Sequence, residues 1–521
     1  MKRDRYQSHR CPRISPKRIP ERPYYKYLSA NWLEPFVLCF TVGEYLFSIQ
    51  RLFILGRVQD VKTVTDRVSK ELTMSKASKV TRDRRDFLRA SAALGGAAAC
   101  YYVNPVAAKE PRSPNEKLNI AAIGTYNRAK ADIKGCADEN IVALVDIDSK
   151  FLDAAGNDYP AARKYRDFRI MLEKEADNID AVIVGTPDHT HAPAAAMALR
   201  LGKHVYCEKP LTHTVYEARK LAQLAAEKKL VTQMGTQIHA GHNYRRVVEL
   251  IESGAIGQVR EVHVWVGVTY DGGKLHKASK PANVDWDLWL GPAPEREYVN
   301  CTLHGEAQSV HPFHWRRFWD YGTGGLGDFG CHYMDLPHWA LKLRNPTKVS
   351  AQGPAPLAEA TTAGLVVKYE YPQRGKLPPV NLTWYDGGKK PAQLAQYKGG
   401  SGKALDWGSG QLFVGEKGAV ISNYGTHLLL PKNDIDDLKR PEPYIPDSIG
   451  HHKEWTNAIK TGGTTTCNFD YSGALTESVL LGVASYRSGQ DLVWDSEKLQ
   501  VTNSAEAQQL IHKEYRKGWQ L

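Results

Sequence analysis

From Leu118 onward, short apolar runs alternate with helix-forming stretches, and this rhythm constrains the fold more than any other feature of the chain. Leu118–Gly124, Ile141–Asp146, Ile179–Gly185, His204–Cys207 and Leu230–Met234 read as buried strands, with helices at Ala192–Leu201 and Thr214–Lys228. Strands alternating with helices of about 10–15 residues build a parallel, doubly wound sheet. After residue 240 the rhythm changes. Val262, Val264, Val266 and Val268 alternate with Glu261, His263 and Trp265, the pattern of a half-buried antiparallel strand. Strand-like pieces at Gly364–Tyr371 and Val380–Tyr385 follow, with helices near Gly330–Lys342 and Lys453–Thr461. Pro/Gly-rich stretches at 353–356 and 386–402 read as loops. The expected fold class is α/β: a doubly wound parallel sheet over 113–238, then an α+β domain with a largely antiparallel open sheet over 239–521.

Charge separates a leader from this body. The net charge is +12. Residues 1–112 hold 22 Lys/Arg against 10 Asp/Glu, whereas 113–521 hold 47 of each. The body is electroneutral, which argues against a nucleic-acid partner, since that needs a basic face on the folded domain. Within the leader, Arg84-Arg85 precede Phe87-Leu88, an Ala/Gly-rich run from Ala90 to Ala99 and small residues at Val106–Ala108. Residues 81–112 thus resemble a twin-arginine export signal and linker, and the expected location is periplasmic. Lipid anchoring at Cys100 is the weaker alternative. Met74 lies ten residues before the arginines, so residues 1–80 read as an extension whose true start is Met74. Trp32–Ile49 is apolar but broken by Glu34, Pro35 and Glu44. The eight cysteines are scattered without a C-x-x-C pair, which fits buried small residues better than a disulfide scaffold or a zinc ribbon.

The first strand–helix turn is Gly124-Thr125-Tyr126-Asn127-Arg128-Ala129. A dinucleotide-binding turn carries G-x-G-x-x-G/A, so that backbone approaches the pyrophosphate and helix packs on strand. Here Tyr126 replaces the middle glycine, which is expected to crowd the pyrophosphate. Asp146 ends the second strand, 22 residues after Gly124, where an acid binds the ribose 2′-hydroxyl and favours NAD over NADP. Capping of the following helix is the other role open to it. His311 and His314 lie three apart, but Pro312 between them argues against a shared helical face, and no metal site is expected. Trp286, Trp289, Trp315, Trp319 and Tyr321 either wall a sugar site or fill core.

Three further motifs carry a resemblance. Thr186-Pro187-Asp188-His189-Thr190-His191, Glu208-Lys209-Pro210 and Gly324-Gly325-Leu326-Gly327-Asp328-Phe329-Gly330-Cys331-His332-Tyr333-Met334-Asp335 occur in the order and spacing of the glucose–fructose oxidoreductase / inositol dehydrogenase (Gfo/Idh/MocA) family, whose hallmarks they resemble over about residues 117–521. The resemblance implies an N-terminal Rossmann domain with bound NAD, a sugar or polyol substrate, and homo-oligomers formed through the C-terminal sheet. It assigns Lys209, Asp328 and His332 as the catalytic set. It places Gly124, Thr125, Tyr126, Asn127, Arg128, Asp146, Thr186, Pro187, Asp188, His191, Glu208 and Lys209 along the cofactor. Lys209 would donate to the reacting oxygen, and a histidine with an ordinary pKa near 6.5 would take the hydroxyl proton. Asp328 and His332 are four apart and share a helical face.

Three functions follow as expectations. The first is an exported NAD-dependent oxidoreductase that carries its cofactor with it. The second is a glycoside hydrolase of the same superfamily, cleaving by transient oxidation and elimination without the usual pair of carboxylates. The third is a sugar-binding protein whose cofactor site has decayed at Tyr126.

Overall fold

A computed structural model describes residues 116–521 except 269, 399–404 and 431–439. Residues 81–112, where an export signal is expected, the apolar stretch at 32–49, Met74 and Cys11, Cys39 and Cys100 lie outside the described residues. No helix among those described is long and apolar enough to cross a membrane. The five described cysteines are all buried and unbonded.

The first domain is built from β1 (Asn119–Ile123), α1 (Arg128–Gly135), β2 (Asn140–Val145), α2 (Ser149–Asp158), β3 (Arg163–Tyr165), α3 (Phe168–Glu175), β4 (Ala181–Val184), α4 (Asp188–Arg200), β5 (His204–Cys207), α5 (Val215–Lys228) and β6 (Thr232–Met234). The strands form one sheet in the order β3-β2-β1-β4-β5-β6 with every pairing parallel. The strand order reverses between β1 and β4, and the crevice beyond their carboxyl ends is where such a sheet binds ligands. β4 reads Ala-Val-Ile-Val and is buried at every position, as a central parallel strand covered on both faces must be. α5 opens with a reciprocal Thr214–Glu217 capping box.

The second domain follows with α6 (His242–Glu252), β7 (Val259–Trp265), β8 (Lys274–Lys277), α7 (Trp286–Leu290), β9 (Val299–Leu303), β10 (Glu306–Ser309), α8 (Gly324–Tyr333) and α9 (Asp335–Leu341). Then come β11 (Lys348–Gln352), β12 (Val366–Tyr371), β13 (Val380–Tyr385), β14 (Gly410–Gly415), β15 (Ala419–Ser422) and β16 (His427–Leu430). The chain ends with α10 (His451–Thr461), α11 (Phe469–Ser488), β17 (Leu492–Asp495), β18 (Gln500–Val501) and α12 (Ala505–Gln509). Nine strands form an open sheet in the order β16-β15-β14-β7-β13-β12-β11-β17-β18, antiparallel except for the parallel β13–β7 pair. A separate three-stranded sheet runs β10-β9-β8.

Two expectations change here. β7 is not half-buried: it sits mid-sheet, with Val262 and Val264 in the main core and Trp265 in a second cluster with Leu412 and Ile421. It also ends at Trp265, leaving Val268 exposed beyond it. The helix expected over 330–342 is two helices, α8 and α9, meeting at Met334.

α11 joins the domains. Every residue from Ser472 to Tyr486 is buried. A Cβ at Gly473 would lie 3.3 Å from the Ala222 Cβ of α5, so the two helices approach at small residues. Beside this contact Arg219 grips Glu477 with two hydrogen bonds of 2.7 Å. Burial raises the Glu477 pKa, and the Arg219 hydrogen bond and charge oppose that rise. Removing the arginine strands a buried carboxylate, so Arg219→Met is expected to cost about 3 kcal/mol in denaturant unfolding at pH 7. A change within about 0.5 kcal/mol, the range of an ordinary surface substitution, contradicts this.

Candidate active site

One cleft with a volume of about 340 Å³ runs from the carboxyl ends of β1 and β4 into the second domain. The sequence of its first wall explains its shape. Gly124 holds φ +90°, and a Cβ there would lie 2.7 Å from the Gly185 carbonyl oxygen. Gly185 in turn meets the Ala129 Cβ, which a side chain at 185 would approach to 2.6 Å. Turn, strand end and helix start therefore pack only with these small residues.

α1 begins without a side-chain cap. Its first backbone N–H groups need an outside acceptor, and an anion at a helix N-terminus supplies one. Asn127, at φ 53°, completes the turn, and Arg128 pairs with the buried Asp132 at 2.8 Å. Tyr126 does not fill the groove. Its ring stacks flat on Phe151, centroids 3.9 Å apart, and it is 48% exposed at the rim.

Asp146 is buried, and one of its oxygens accepts from both the Thr125 N–H and the Thr125 hydroxyl, at 2.9 and 2.8 Å. The other accepts from the Asp148 N–H at 2.9 Å. It thus ties the end of β2 to the turn after β1, while capping of α2 falls to Asp148. Burial raises its pKa against these hydrogen bonds.

The Thr186–Asp188 turn and the Glu208–Lys209 turn form the next walls. His191 is a correction: it does not line the cleft. Its two ring nitrogens face the Pro210 and Thr186 carbonyls, each at 2.8 Å; the neutral ring donates to one of the two and packs between both turns. Burial lowers its pKa to about 4. Glu208 accepts from Gln237 at 2.7 Å and lies 3.6 Å from Arg128. Burial raises both Asp132 and Glu208, and the charge of Asp132 raises Glu208 further.

At the reacting end, Lys209 crosses to α8. Its Nζ lies 2.6 Å from Asp328 Oδ1 and 3.0 Å from the Asp328 carbonyl oxygen. Burial opposes the charge on Asp328, but Lys209 and Arg316 outweigh it and hold the pKa below the usual carboxylate range. His332, one turn along α8, lines the same cleft. Burial lowers its pKa to about 3, with Lys209 adding to the fall. It is therefore neutral at physiological pH and a weaker base than an ordinary histidine, which corrects the expected value near 6.5. Its buried Nδ1 has no partner among the described residues.

Sequence reasoning missed three residues here. Tyr270 donates to Asp328 Oδ2 at 3.2 Å, Arg316 reaches Asp328 Oδ1 at 3.6 Å, and Gln237 holds Glu208. Tyr270 comes from a loop and Arg316 from a one-turn 3-10 helix, His314–Arg317, neither carrying a motif; Gln237 follows β6, where strand-end position was the available signal. Of the aromatics, Trp286, Trp289, Trp315 and Tyr321 form one buried cluster, and Trp289 and Trp315 also line the cleft. His311 turns to Trp289 and Asp148. Among the described residues no group of three or more His, Cys, Asp or Glu is placed to hold a metal.

The sequence model of the oxidoreductase family's NAD-binding Rossmann fold matches residues 118–236, and its C-terminal α/β domain matches 246–406. The chain belongs to the Gfo/Idh/MocA oxidoreductase family. An inositol 2-dehydrogenase of Azotobacter vinelandii is 31% identical over 153 residues, 28% of this chain and 44% of that protein. A dTDP-3,4-didehydro-2,6-dideoxy-alpha-D-glucose 3-reductase of Streptomyces violaceoruber is 41% identical over 90 residues, 17% and 26%. The chain thus spans less than half the length of either relative. The WlbA dehydrogenase of Bordetella pertussis, solved with NADH and UDP-GlcNAcA, matches with TM-score 0.50 and 19% identity over 73% of this chain and 99% of that one, a likeness of fold. The family's first domain is NAD-binding, and the uncapped α1, the Gly124–Gly185 contact and the Asp146 position fit that cofactor.

Asp188 gives a test of this electrostatic picture. It is buried beside Asp328 and accepts from the Thr323 hydroxyl at 3.0 Å. Burial first, and the charge of Asp328 second, raise it from the usual 3.8 to about 7. Folding therefore takes up a proton across that interval, and the contribution of Asp188 to stability falls as pH climbs from about 4 to about 7. Asp188→Asn removes that slope. Its stability relative to the parent is expected to rise over pH 4–7 and level off above, in urea unfolding at each pH. A difference constant across the interval contradicts the assignment.

Proposed function

We propose that this protein is an NAD-dependent oxidoreductase acting on a secondary alcohol of a sugar, polyol or sugar derivative. The observation that carries the reading is the 2.6 Å contact between Lys209 of the first domain and Asp328 of the second, inside a cleft that begins at the strand-order reversal. NAD, when bound, supplies the hydride acceptor or donor. The chain's own residues do the rest. The start of α1 and the Gly124 turn hold the pyrophosphate, and Asp146 takes the ribose. Lys209, held in place by Asp328, donates a hydrogen bond to the reacting oxygen and favours the negative charge that grows there as its proton leaves. Neutral His332, which lines the same cleft, is the group that accepts that proton.

The half-exposed position of Tyr126 supports cofactor binding over a decayed site, because the ring leaves the groove open. The reading includes export by the twin-arginine route to the periplasm, with the cofactor bound before transit, and association through the nine-stranded sheet.

The protein purified and then denatured is expected to release a nicotinamide nucleotide detectable by mass spectrometry. Sugars and polyols added to the native protein are expected to change absorbance at 340 nm, and Lys209→Met is expected to lower kcat/KM by about 10² or more. Release of reducing sugar from a glycoside with no change at 340 nm selects the hydrolase instead. No nucleotide and no binding of added NAD overturns the reading.

A further inference from the structure

The reacting end of the cleft carries two cations against one committed carboxylate. Lys209 Nζ and Arg316 Nε both face Asp328 Oδ1, at 2.6 and 3.6 Å, while Asp328 Oδ2 takes the Tyr270 hydroxyl. Two other carboxyls line the cleft near by: Asp188, which accepts from the Thr323 hydroxyl, and Glu208, which accepts from Gln237 and lies 3.6 Å from Arg128; burial raises the pKa of both. Arg128 and Asp132, further along, neutralise each other. Where the substrate must lie, two cations thus share Asp328, and Arg316 reaches it only through the longer, 3.6 Å contact.

Arg316 is held in one orientation with an edge to spare. Its guanidinium carbon lies 4.2 Å from the Trp315 ring centroid and 4.6 Å from that of Phe313, so two aromatic faces fix its plane. Nη1 donates to the Phe313 carbonyl at 3.2 Å. Nη2 makes no hydrogen bond among the described residues, and the side chain, 17% exposed, lines the cleft. A held guanidinium with a free edge matches a carboxylate in shape and charge, and it is poorly served by a neutral hydroxyl. With a neutral substrate, Arg316 also competes with Lys209 for Asp328. A substrate carboxylate relieves that competition and leaves Asp328 to Lys209.

We infer that Arg316 anchors a carboxylate of the substrate, which makes the substrate an acidic sugar of the uronic or aldonic class. This rests on the oxidoreductase reading above and narrows it. One guanidinium, with Nη2 free and Nε shared with Asp328, fits a monoanionic carboxylate better than a dianionic phosphate ester.

The test uses the protein as purified, with D-glucuronate and D-galacturonate set against D-glucose, D-galactose and D-glucose 6-phosphate. Binding is followed by tryptophan fluorescence, since Trp289 and Trp315 line the cleft. The uronates are expected to bind about tenfold or more tighter than the parent sugars, the scale of one charge-assisted hydrogen bond. Arg316→Gln is expected to erase that ratio and Arg316→Lys to keep part of it. If Arg316→Gln does not fold, the parent protein still decides, because added NaCl must weaken uronate binding and leave the neutral sugars unmoved. Equal binding of uronates and parent sugars, no saturable uronate binding, a ratio unchanged in Arg316→Gln, or tighter binding of the phosphate ester overturns the inference. Nucleotide released from the same preparation separates the two readings: absent nucleotide with an intact, Arg316-dependent uronate preference defeats the oxidoreductase and keeps the anion site, and the converse keeps the oxidoreductase alone.

Discussion

One ion pair across two domains organises this molecule. Lys209 belongs to a turn at the end of β5, Asp328 to a helix 119 residues later, and the 2.6 Å between them exists only when both domains are folded and docked. Each end needs the other. An unpaired carboxylate buried as deeply as Asp328 would be driven to protonate, and the lysine would lose the group that aims it. Around this pair Tyr270 and Arg316 supply further donors from the second domain.

The docking that brings them together is mostly mechanical. α11 is buried along fifteen consecutive residues, from Ser472 to Tyr486, and meets α5 at Gly473 and Ala222. At β6, Thr232 and Gln233 are bonded to the second domain through Thr465, Phe469 and His451. His191 packs between the two turns of the first domain that face the cleft and donates to one of them. With the frame fixed this way, Lys209 has little freedom, which is what positioning a donor against a reacting oxygen requires.

The parallel sheet was legible because buried strands and amphipathic helices leave separate periods in sequence. The motif residues were legible because their types and spacing are unusual: Lys209, Asp328 and His332 do line one cleft. Other features left no local trace. α11 escaped notice because it is buried nearly all round, so it lacks the one-sided stripe that marks a surface helix. β7 showed alternation, yet both its faces are covered, one by valines and the other by Trp265 packing on Leu412. The glycine missing at Tyr126 looked disabling, but Phe151 gives the ring a place to stack outside the turn. Arg316 sat beside histidines weighed as metal ligands and drew no attention, since nothing along the chain links it to Asp328.

The central claim is that the Lys209–Asp328 pair faces the nicotinamide. A crystal structure of the protein with NAD tests it most directly. The pyrophosphate is expected at the start of α1 and the nicotinamide beside Lys209, still bonded to Asp328, with room between ring and ammonium for a carbinol carbon about 3–3.5 Å from the ring carbon that exchanges hydride. A nicotinamide ring lying elsewhere, or a Lys209 turned out of the cleft in the complex, would contradict it.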